Sequence, residues 1–269
     1  MTQEERLDCL LRYLLAEREE YKALAVPAGP AERRRLLRAL LNVRPPEPLD
    51  RGFYQVQDAY LQEELRRKGV TRLDDLCPVR PGLYLWQGDI TTLAVDAIVN
   101  AANSAMLGCF IPCHGCVDNA IHTAAGFQLR RECARMMALQ PGEEPPGRAK
   151  ITNAYNLPCR YVLHTVGPIV RRAVTAEDRA LLASCYRSCL ELAAAHGCRS
   201  VAFCCISTGE FHFPNGEAAG IALKTVTDFL RHETSIEKVI FNVFKDIDAD
   251  LYRALLGEPR PAAAGPGPG

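Results

Sequence analysis

The residues best suited to chemistry in this sequence lie between positions 107 and 122, which read LGCFIPCHGCVDNAIH. Cys109, Cys113, His114 and Cys116 offer four possible metal ligands within eight residues. Zinc prefers thiolate and imidazole ligands, and a site with three protein ligands leaves a fourth position for water or substrate. Four adjacent side chains on one short loop cannot all bind a single ion without strain in the loop. The segment therefore predicts a zinc site with three protein ligands and an open position.

The spacing alone leaves the third ligand open, because Cys113 and Cys116 form the common CxxC chelate with His114 between them. A zinc nucleobase deaminase needs an H-x-E motif upstream, and no histidine precedes His114. A haem attachment motif needs a histidine where Val117 stands. A redox dithiol remains an alternative, although such a motif is expected beside an early βαβ unit. A purely structural zinc would need a fourth ligand, for which His122 is the candidate nearby.

The bulk composition of the 269-residue chain restricts the possible partners. Its 32 lysines and arginines balance 32 aspartates and glutamates, so no strong overall field attracts nucleic acid or an anionic membrane. The N-terminus is charged and helix-like, and no later stretch is apolar for long enough to span a bilayer. We therefore expect a cytoplasmic protein without a DNA or membrane partner. In such a protein the 12 cysteines are expected to be buried thiols or metal ligands rather than disulfides.

The sequence divides into three parts. Residues 1–75 are predicted to form a helical N-terminal extension, which packs over one edge of the main domain or, as the alternative, has a separate binding function. Leucines at helical spacing and proline-rich breakers place its helices at 2–24, 31–44 and 56–67. Residues 76–257 are predicted to form the main domain. Residues 258–269 are rich in Pro, Gly and Ala and are predicted to be a disordered tail.

In the main domain, short apolar and β-branched runs alternate with helical patterns. The predicted strands are 83–87, 96–101, 149–154, 160–166, 200–206 and 238–244, and the predicted helices are 117–137, 176–196, 216–230 and 248–256. This alternation predicts an α/β fold with a mixed, largely parallel sheet covered by helices on both faces. In such sheets a ligand binds in the crevice beyond the carboxyl ends of the strands.

Four polar stretches follow predicted strands and would lie in that crevice: GDIT at 88–91, VNAANS at 99–104, STGEFHFP at 207–214 and VFKD at 243–246. A strand-to-helix loop with Ser, Thr and Gly offers backbone N–H groups to a phosphate, although many such turns bind nothing. Asp89 and Asn103 offer hydrogen bonds to a base or a sugar hydroxyl, or alternatively cap a turn.

Taken in order, GDIT, VNAAN, VDNAIHTAAG, AKITNAYNLPCRYVLHTVGP and STGEFHFP resemble segments of the macrodomain family over residues 82–256. The resemblance implies a three-layer α/β/α fold that binds ADP-ribose in its crevice. Many members of that family remove ADP-ribose from proteins.

The resemblance also implies ligand-binding roles for individual residues. Asp89 would bind the adenine amino group beside the backbone of Ile90, and Phe244 would stack on adenine. Asn103 would contact the distal ribose, with the ring of Phe211 against the same sugar. The residues whose backbone amides would surround the diphosphate are Ser207, Thr208, Gly209, Glu210 and Phe211.

The sequence departs from the common hydrolytic macrodomains at two places. His212 stands where their phosphate loop tends to carry glycine, and GCFIPCHGC at 108–116 replaces their run of glycines. A bacterial subgroup, the zinc-containing macrodomains, also has a helical N-terminal extension and a CxxxxHxC loop. That form fits Cys109, His114 and Cys116 as ligands of one Zn²⁺ and leaves Cys113 as a packing or outer-shell residue.

Asp118 matches the aspartate that acts as general base in hydrolytic macrodomains, although an acidic residue in the first turn of a helix is also favoured by the helix dipole. Because two thiolates would neutralise most of the metal charge, we expect the zinc to orient a ribose hydroxyl more than to activate water. The sequence predicts a zinc-dependent hydrolase that removes O-linked mono-ADP-ribose from modified proteins, with Asp118 and Asn103 as catalytic residues. The alternatives are a non-catalytic ADP-ribose reader and a hydrolase of small ADP-ribose esters.

Overall fold

The computed structural model describes residues 1–232 and 234–257, so the tail predicted at 258–269 lies outside the described residues. The helices are α1 (Gln3–Ala16), α2 (Pro30–Val43), α3 (Arg51–Lys68), α4 (Val117–Ala125), α5 (Phe127–Met137), α6 (Ala176–Ala195), α7 (Asn215–Leu230) and α8 (Asp246–Leu256). The strands are β1 (Thr71–Arg72), β2 (Pro78–Arg80), β3 (Leu83–Gln87), β4 (Leu93–Ala94), β5 (Ala97–Ala102), β6 (Ala149–Asn153), β7 (Tyr161–Val166), β8 (Ser200–Phe203) and β9 (Lys238–Val243). Among the described residues, no helix is both long and apolar enough to cross a lipid bilayer.

Within the described residues, seven strands form one sheet in the order β2-β3-β9-β8-β5-β7-β6. The inner neighbours are parallel, and β2 and β6 at the two edges run antiparallel to β3 and β7. The central strands are buried on both faces because helices cover both sides, which explains their continuous apolar runs. The predicted three-layer α/β/α fold with a mixed, mostly parallel sheet is confirmed.

The prediction of a single helix at 117–137 is wrong, because the chain forms two helices there. Gly126 separates α4 from α5 with φ +96°, a value that side chains with a Cβ rarely adopt. A Cβ at this position would also lie 2.8 Å from the side chains of Gln57 and Gln128. The break lets α5 leave the direction of α4 and pack beside it.

Two boundaries in the N-terminal extension also differ from the prediction. The helix predicted at 2–24 ends at Ala16, because the run Glu-Arg-Glu-Glu that follows has no apolar side chain to bury. The helix predicted at 56–67 already begins at Arg51. Its cap is Asp50, whose Oδ1 accepts a hydrogen bond from the Phe53 N–H at 2.7 Å.

The extension packs on the helical layer of the main domain, where α2 and α3 contact α4. Gln57 of α3 is fully buried; its Oε1 accepts from the Phe127 N–H at 2.9 Å, and its Nε2 donates to Gln128 Oε1 at 2.7 Å. Such buried hydrogen bonds fix the docking geometry, since breaking one leaves a desolvated polar group unpaired. Helices α1–α3 form an apolar core together with Phe127 of α5. The residues of this core are Leu7, Leu10, Leu11, Leu14, Leu37, Leu40, Leu49, Phe53, Tyr60 and Phe127.

Candidate active site and metal-binding loop

The four polar stretches singled out in the sequence lie along one end of the sheet. Asp89 follows β3, Phe244 follows β9, the segment 207–211 follows β8 and Asn103 follows β5. These four strands are neighbours and run parallel, so their carboxyl ends meet along the same edge. The arrangement places the stretches around one crevice.

One end of this crevice is formed by Asp89 and Phe244, the two residues predicted to contact adenine. Asp89 Oδ1 accepts hydrogen bonds from the Thr91 N–H (3.0 Å) and hydroxyl (2.6 Å), and Oδ2 accepts from Lys68 Nζ at 3.0 Å. Burial raises the pKa of Asp89, but the bonds from Thr91 and the charge of Lys68 outweigh it, so the pKa is lowered and the carboxylate is ionised. Ile90 has a buried side chain, whereas the Phe244 ring is 77% exposed and open to stacking.

The predicted phosphate loop has an unusual backbone conformation. Ser207 and His212 have φ values of +66° and +56°, in the left-handed region that favours glycine. His212 therefore adopts the glycine-like conformation without being a glycine. The Phe213 N–H donates to the Ser207 carbonyl at 2.9 Å, and the Thr208 hydroxyl donates to the Cys205 carbonyl at 3.1 Å. These bonds hold the loop in a tight turn.

The same loop presents donors that no protein group uses. Within the described residues, the backbone N–H groups of Gly209, Glu210 and Phe211 have no acceptor. Gly209 and Glu210 are exposed and Phe211 is half-buried, and α7 begins shortly afterwards at Asn215. Free amides ahead of a helix N-terminus form a suitable site for the oxygens of a phosphate.

The loop between β5 and α4 brings Cys109, His114 and Cys116 together. One ligand atom from each lies within 4.8 Å of the others, and Cys109 Sγ is 3.6 Å from His114 Nδ1. Burial, with the neighbouring Cys109 and Asp118, raises the pKa of the Cys116 thiol to about 12. A cation bound beside Cys116 Sγ would favour its ionised form. The donor set of two thiols and one imidazole fits Zn²⁺ with an open fourth position.

Cys113 does not join this group. Its φ is +54°, its N–H donates to Asn42 Oδ1 at 2.9 Å, and its Sγ lies 3.3 Å from the carbonyl oxygen of Arg35. The thiol thus faces α2. The CxxC alternative, with Cys113 and Cys116 as partners, does not match this geometry.

The second ring nitrogen of His114 faces the predicted phosphate loop. His114 Nε2 lies 3.6 Å from Glu210 Oε1. A metal-ligating histidine commonly has a carboxylate or carbonyl near its other nitrogen, which fixes the ring orientation. Glu210 therefore lies between the predicted metal-binding loop, residues 107–116, and the predicted phosphate loop.

Asp118 lies in the first turn of α4 and is 4% exposed. Its Oδ1 accepts from Asn100 Nδ2 at 2.8 Å and lies 3.5 Å from His122 Nε2, whereas Oδ2 is 3.4 Å from Asn103 Nδ2. Burial raises the pKa of the Asp118 carboxyl to about 6, against the lowering effects of the Asn100 bond and the Arg130 charge. The carboxylate is oriented mainly through Oδ1, which leaves Oδ2 as the freer oxygen.

His122, the candidate for a fourth metal ligand, does not reach the loop cluster. It is buried with Cys133 and His164, and the ligand atoms of these three residues lie within 4.8 Å of one another. Neither ring nitrogen of His122 has a hydrogen-bond partner among the described residues. Burial, helped by His164 and Arg130, lowers the pKa of His122 well below its usual value, so the ring is neutral.

Gly108 offers a test of how tightly the predicted metal-binding loop is constrained. Its φ is +81°, and a Cβ would lie 2.8 Å from the His122 ring. We expect Gly108→Ala to destabilise the protein by about 1–3 kcal/mol, because the backbone must move or stay strained. The measurement is the free energy of unfolding in denaturant. The control is Gly115→Ala in the same loop, where a Cβ meets nothing within 4 Å; equal stability of the two variants would contradict the constraint.

The structure adds site residues that the sequence analysis missed. Asn100 could have been recognised from the sequence, since it belongs to the VNAAN stretch. Nothing in the sequence indicated that Lys68, Arg38 and Asn42 belong to the site, because their helices have the pattern of charged surface helices. All three contact the site from the extension.

Comparison with known proteins assigns the chain to a family. The family model described as Macro domain matches residues 99–222. The Protein-ADP-ribose hydrolase of Treponema medium is 54% identical over 260 residues, which are 95% of this chain and 100% of that protein. This chain belongs to the Macro domain family. The macrodomain protein is also 49% identical over 250 residues to the Protein-ADP-ribose hydrolase of Staphylococcus aureus strain MSSA476, covering 92% of this chain and 94% of the other.

Among solved structures, the macrodomain of Trypanosoma brucei in complex with ADP-ribose is similar to this macrodomain protein. The two are 33% identical with a TM-score of 0.63, and the match covers 86% of this chain and 97% of the other.

Proposed function

We propose that this macrodomain protein is a zinc-dependent hydrolase that removes O-linked mono-ADP-ribose from modified proteins. The observation that carries the proposal is the convergence of Cys109, His114 and Cys116 on the loop that leads directly into Asp118. A pure binding module has little need for an open-coordination metal beside a buried carboxylate. The names of the bacterial relatives and the ligand of the trypanosomal structure support the activity and the ligand.

ADP-ribose would lie along the carboxyl edge of the sheet. Asp89 is ionised and would accept from the adenine amino group, while the exposed Phe244 ring would stack on the base. The diphosphate would accept hydrogen bonds from the amides of 208–211. The distal ribose would then lie near Asn103 and Asp118, at the end of the crevice where the metal-binding loop begins.

Cys109, His114 and Cys116 would hold one Zn²⁺. When bound, the ion supplies a Lewis acid that can orient a substrate oxygen, and two thiolates offset most of its charge. Glu210 near His114 Nε2 would hold the imidazole with Nδ1 toward Cys109.

Asp118 would act as the general base. Asn100 holds the carboxylate through Oδ1, so Oδ2 can accept a proton from a water molecule. As that proton moves to Oδ2, the water oxygen bonds to the anomeric carbon of the distal ribose. The bond between that carbon and the acceptor oxygen breaks, and the acceptor leaves as a carboxylate. Asn103 Nδ2, 3.4 Å from Oδ2, would help to position the water or the ribose.

The neutral state of His122 favours a carboxylate-linked substrate. A carboxylate leaving group departs as an anion and needs no proton donor, whereas an amine or guanidine leaving group needs one. His122, the imidazole beside Asp118, is held neutral by burial and does not supply that proton. The site therefore suits an ester linkage to an acidic side chain.

The zinc-loaded protein should be incubated with proteins that carry mono-ADP-ribose on carboxylates and with proteins that carry it on arginine. We expect release from the ester-linked acceptor only, measured as free ADP-ribose. Tight binding of ADP-ribose without release from any linkage would instead indicate a reader. Turnover of a small ADP-ribose ester but of no modified protein would indicate a small-ester hydrolase.

A further inference from the structure

We propose that Arg38 and Asn42 of the N-terminal extension are positioning residues of the metal site, so that α2 is a working part of that site. The inference rests on the proposed function, since it concerns the loop that would hold the metal. It gives the extension, for which packing was the favoured prediction, a role at the site.

Arg38 reaches from α2 to the metal-binding loop with two of its nitrogens. Arg38 Nη2 donates to the carbonyl oxygen of His114 at 2.9 Å and to Asn119 Oδ1 at 2.6 Å, and Nε donates to the same Oδ1 at 3.0 Å. The first bond ends on the backbone of a predicted metal ligand. The planar guanidinium makes these bonds in one fixed geometry, which an ammonium group would not reproduce.

Asn119 extends this contact to the other side of the loop. Because its Oδ1 accepts from Arg38, its Nδ2 is directed toward the Ile111 carbonyl, to which it donates at 3.1 Å. Its backbone N–H lies 3.4 Å from Cys116 Sγ and donates to that thiol. Arg38 therefore fixes the amide orientation of a residue that contacts the loop at Ile111 and at Cys116.

Asn42 holds the loop one helical turn further along α2. Its Oδ1 accepts from the Cys113 N–H at 2.9 Å, directly before His114, and its Nδ2 donates to the Thr123 hydroxyl at 3.3 Å. Asn42 is 2% exposed and Cys113 is half-buried, so loss of this acceptor would leave a partly buried N–H unpaired. Spacing of four residues places Arg38 and Asn42 on the same face of α2.

Arg130 of α5 ties the end of α2 to the start of the same loop. Its Nη1 donates to the carbonyl oxygens of Leu41, Asn42 and Arg44 at 2.6–2.9 Å, and its Nε donates to the Leu107 carbonyl at 2.7 Å. Arg130 is 3% exposed. The loop is thus held at both ends and in its middle by a frame that includes α2.

Such a frame should matter for metal binding more than for folding. A loop of ten residues loses conformational freedom when it closes around an ion, and bonds that already order it reduce that loss. Partners outside the ligand shell typically contribute tenfold to hundredfold to metal affinity. Arg38 and Asn42 bond to the loop backbone at His114 and Cys113, so they act on ligand placement directly.

The test compares Arg38→Met with Arg34→Met in the full-length protein. Both changes remove one arginine from α2, but Arg34 makes none of the contacts described above. We expect Arg38→Met to transfer zinc to a chromogenic chelator roughly tenfold to hundredfold faster than wild type, with a similar thermal midpoint. Arg34→Met should match wild type. Asn42→Ala should also lose zinc faster, and Asn42→Asp, which keeps an acceptor oxygen for Cys113, should restore retention.

A second measurement separates this inference from the proposed function. Amide hydrogen exchange of residues 107–116 in zinc-free protein should be faster in Arg38→Met than in wild type. If the wild type binds zinc and Arg38→Met loses it at the same rate as the wild type, the positioning role is overturned and the hydrolase proposal stands. If the wild type binds no zinc, the zinc-dependent function is overturned. If its loop nevertheless exchanges more slowly than the loop of Arg38→Met, Arg38 still positions the loop. Unchanged exchange in Arg38→Met would overturn the positioning role regardless of zinc.

Discussion

Cys116→Ser is expected to lose bound zinc and to slow release of ADP-ribose by roughly 100-fold or more, since even partners outside the ligand shell contribute tenfold to hundredfold. Serine keeps the role of Cys116 as the N-cap of α4, where Sγ accepts from the Asn119 N–H. A loss of activity with an intact helix would therefore report the missing thiolate. The measurements are zinc per chain by elemental analysis and the rate of ADP-ribose release.

The matched control is Cys113→Ser in the same loop. The Cys113 thiol faces the Arg35 carbonyl on α2 and stands apart from the three grouped ligands. We expect this variant to retain zinc and most of the turnover. Loss of zinc from Cys113→Ser together with its retention by a Cys109→Ser variant would contradict the ligand set of Cys109, His114 and Cys116.

Asp118→Asn is expected to lower the turnover number by about 10²- to 10⁴-fold, the range for loss of a general base. The amide has the shape of the carboxylate and keeps an oxygen that can accept from Asn100, but it cannot take a proton from water. Zinc content and ADP-ribose affinity should change little. The measurements are single-turnover release, zinc analysis and a direct binding titration.

The outcome for Asp118→Asn also separates catalysis from binding. If the variant turns over at the wild-type rate, Asp118 is not the base, and its position reflects only the favourable end of the helix dipole. If it loses ADP-ribose affinity in proportion to turnover, the carboxylate serves binding rather than chemistry.

The fold could be predicted best where the local hydrophobic pattern of a segment matches its place in the sheet. The runs around β3, β5 and β9 are apolar and bounded by polar stretches, so both the strands and the crevice at their ends could be predicted. The proximity of Asp89 to Phe244 follows from the pairing of β3 with β9. The spacing of Cys109, His114 and Cys116 is compatible with one compact set of metal ligands. Only the family resemblance favoured this set over the CxxC pair of Cys113 and Cys116.

Other features depend on contacts between distant parts of the chain and carry no local signal. Arg38 has the same pattern in the sequence as the arginines beside it, and only docking of α2 on α4 directs it toward His114. The break at Gly126 is also tertiary, since a glycine within a helical pattern is often tolerated. Here the backbone turns away with Gln57 and Gln128 packed against the glycine.

One measurement tests the central claim most directly, namely that a metal held by Cys109, His114 and Cys116 is needed to release ADP-ribose. Zinc content and release from an ester-linked, mono-ADP-ribosylated protein should be measured on one preparation before chelation, after chelation and after zinc is restored. We expect about one zinc per chain before chelation, loss of release with loss of metal, and recovery of both when zinc is restored. Full release by the metal-free protein would contradict it.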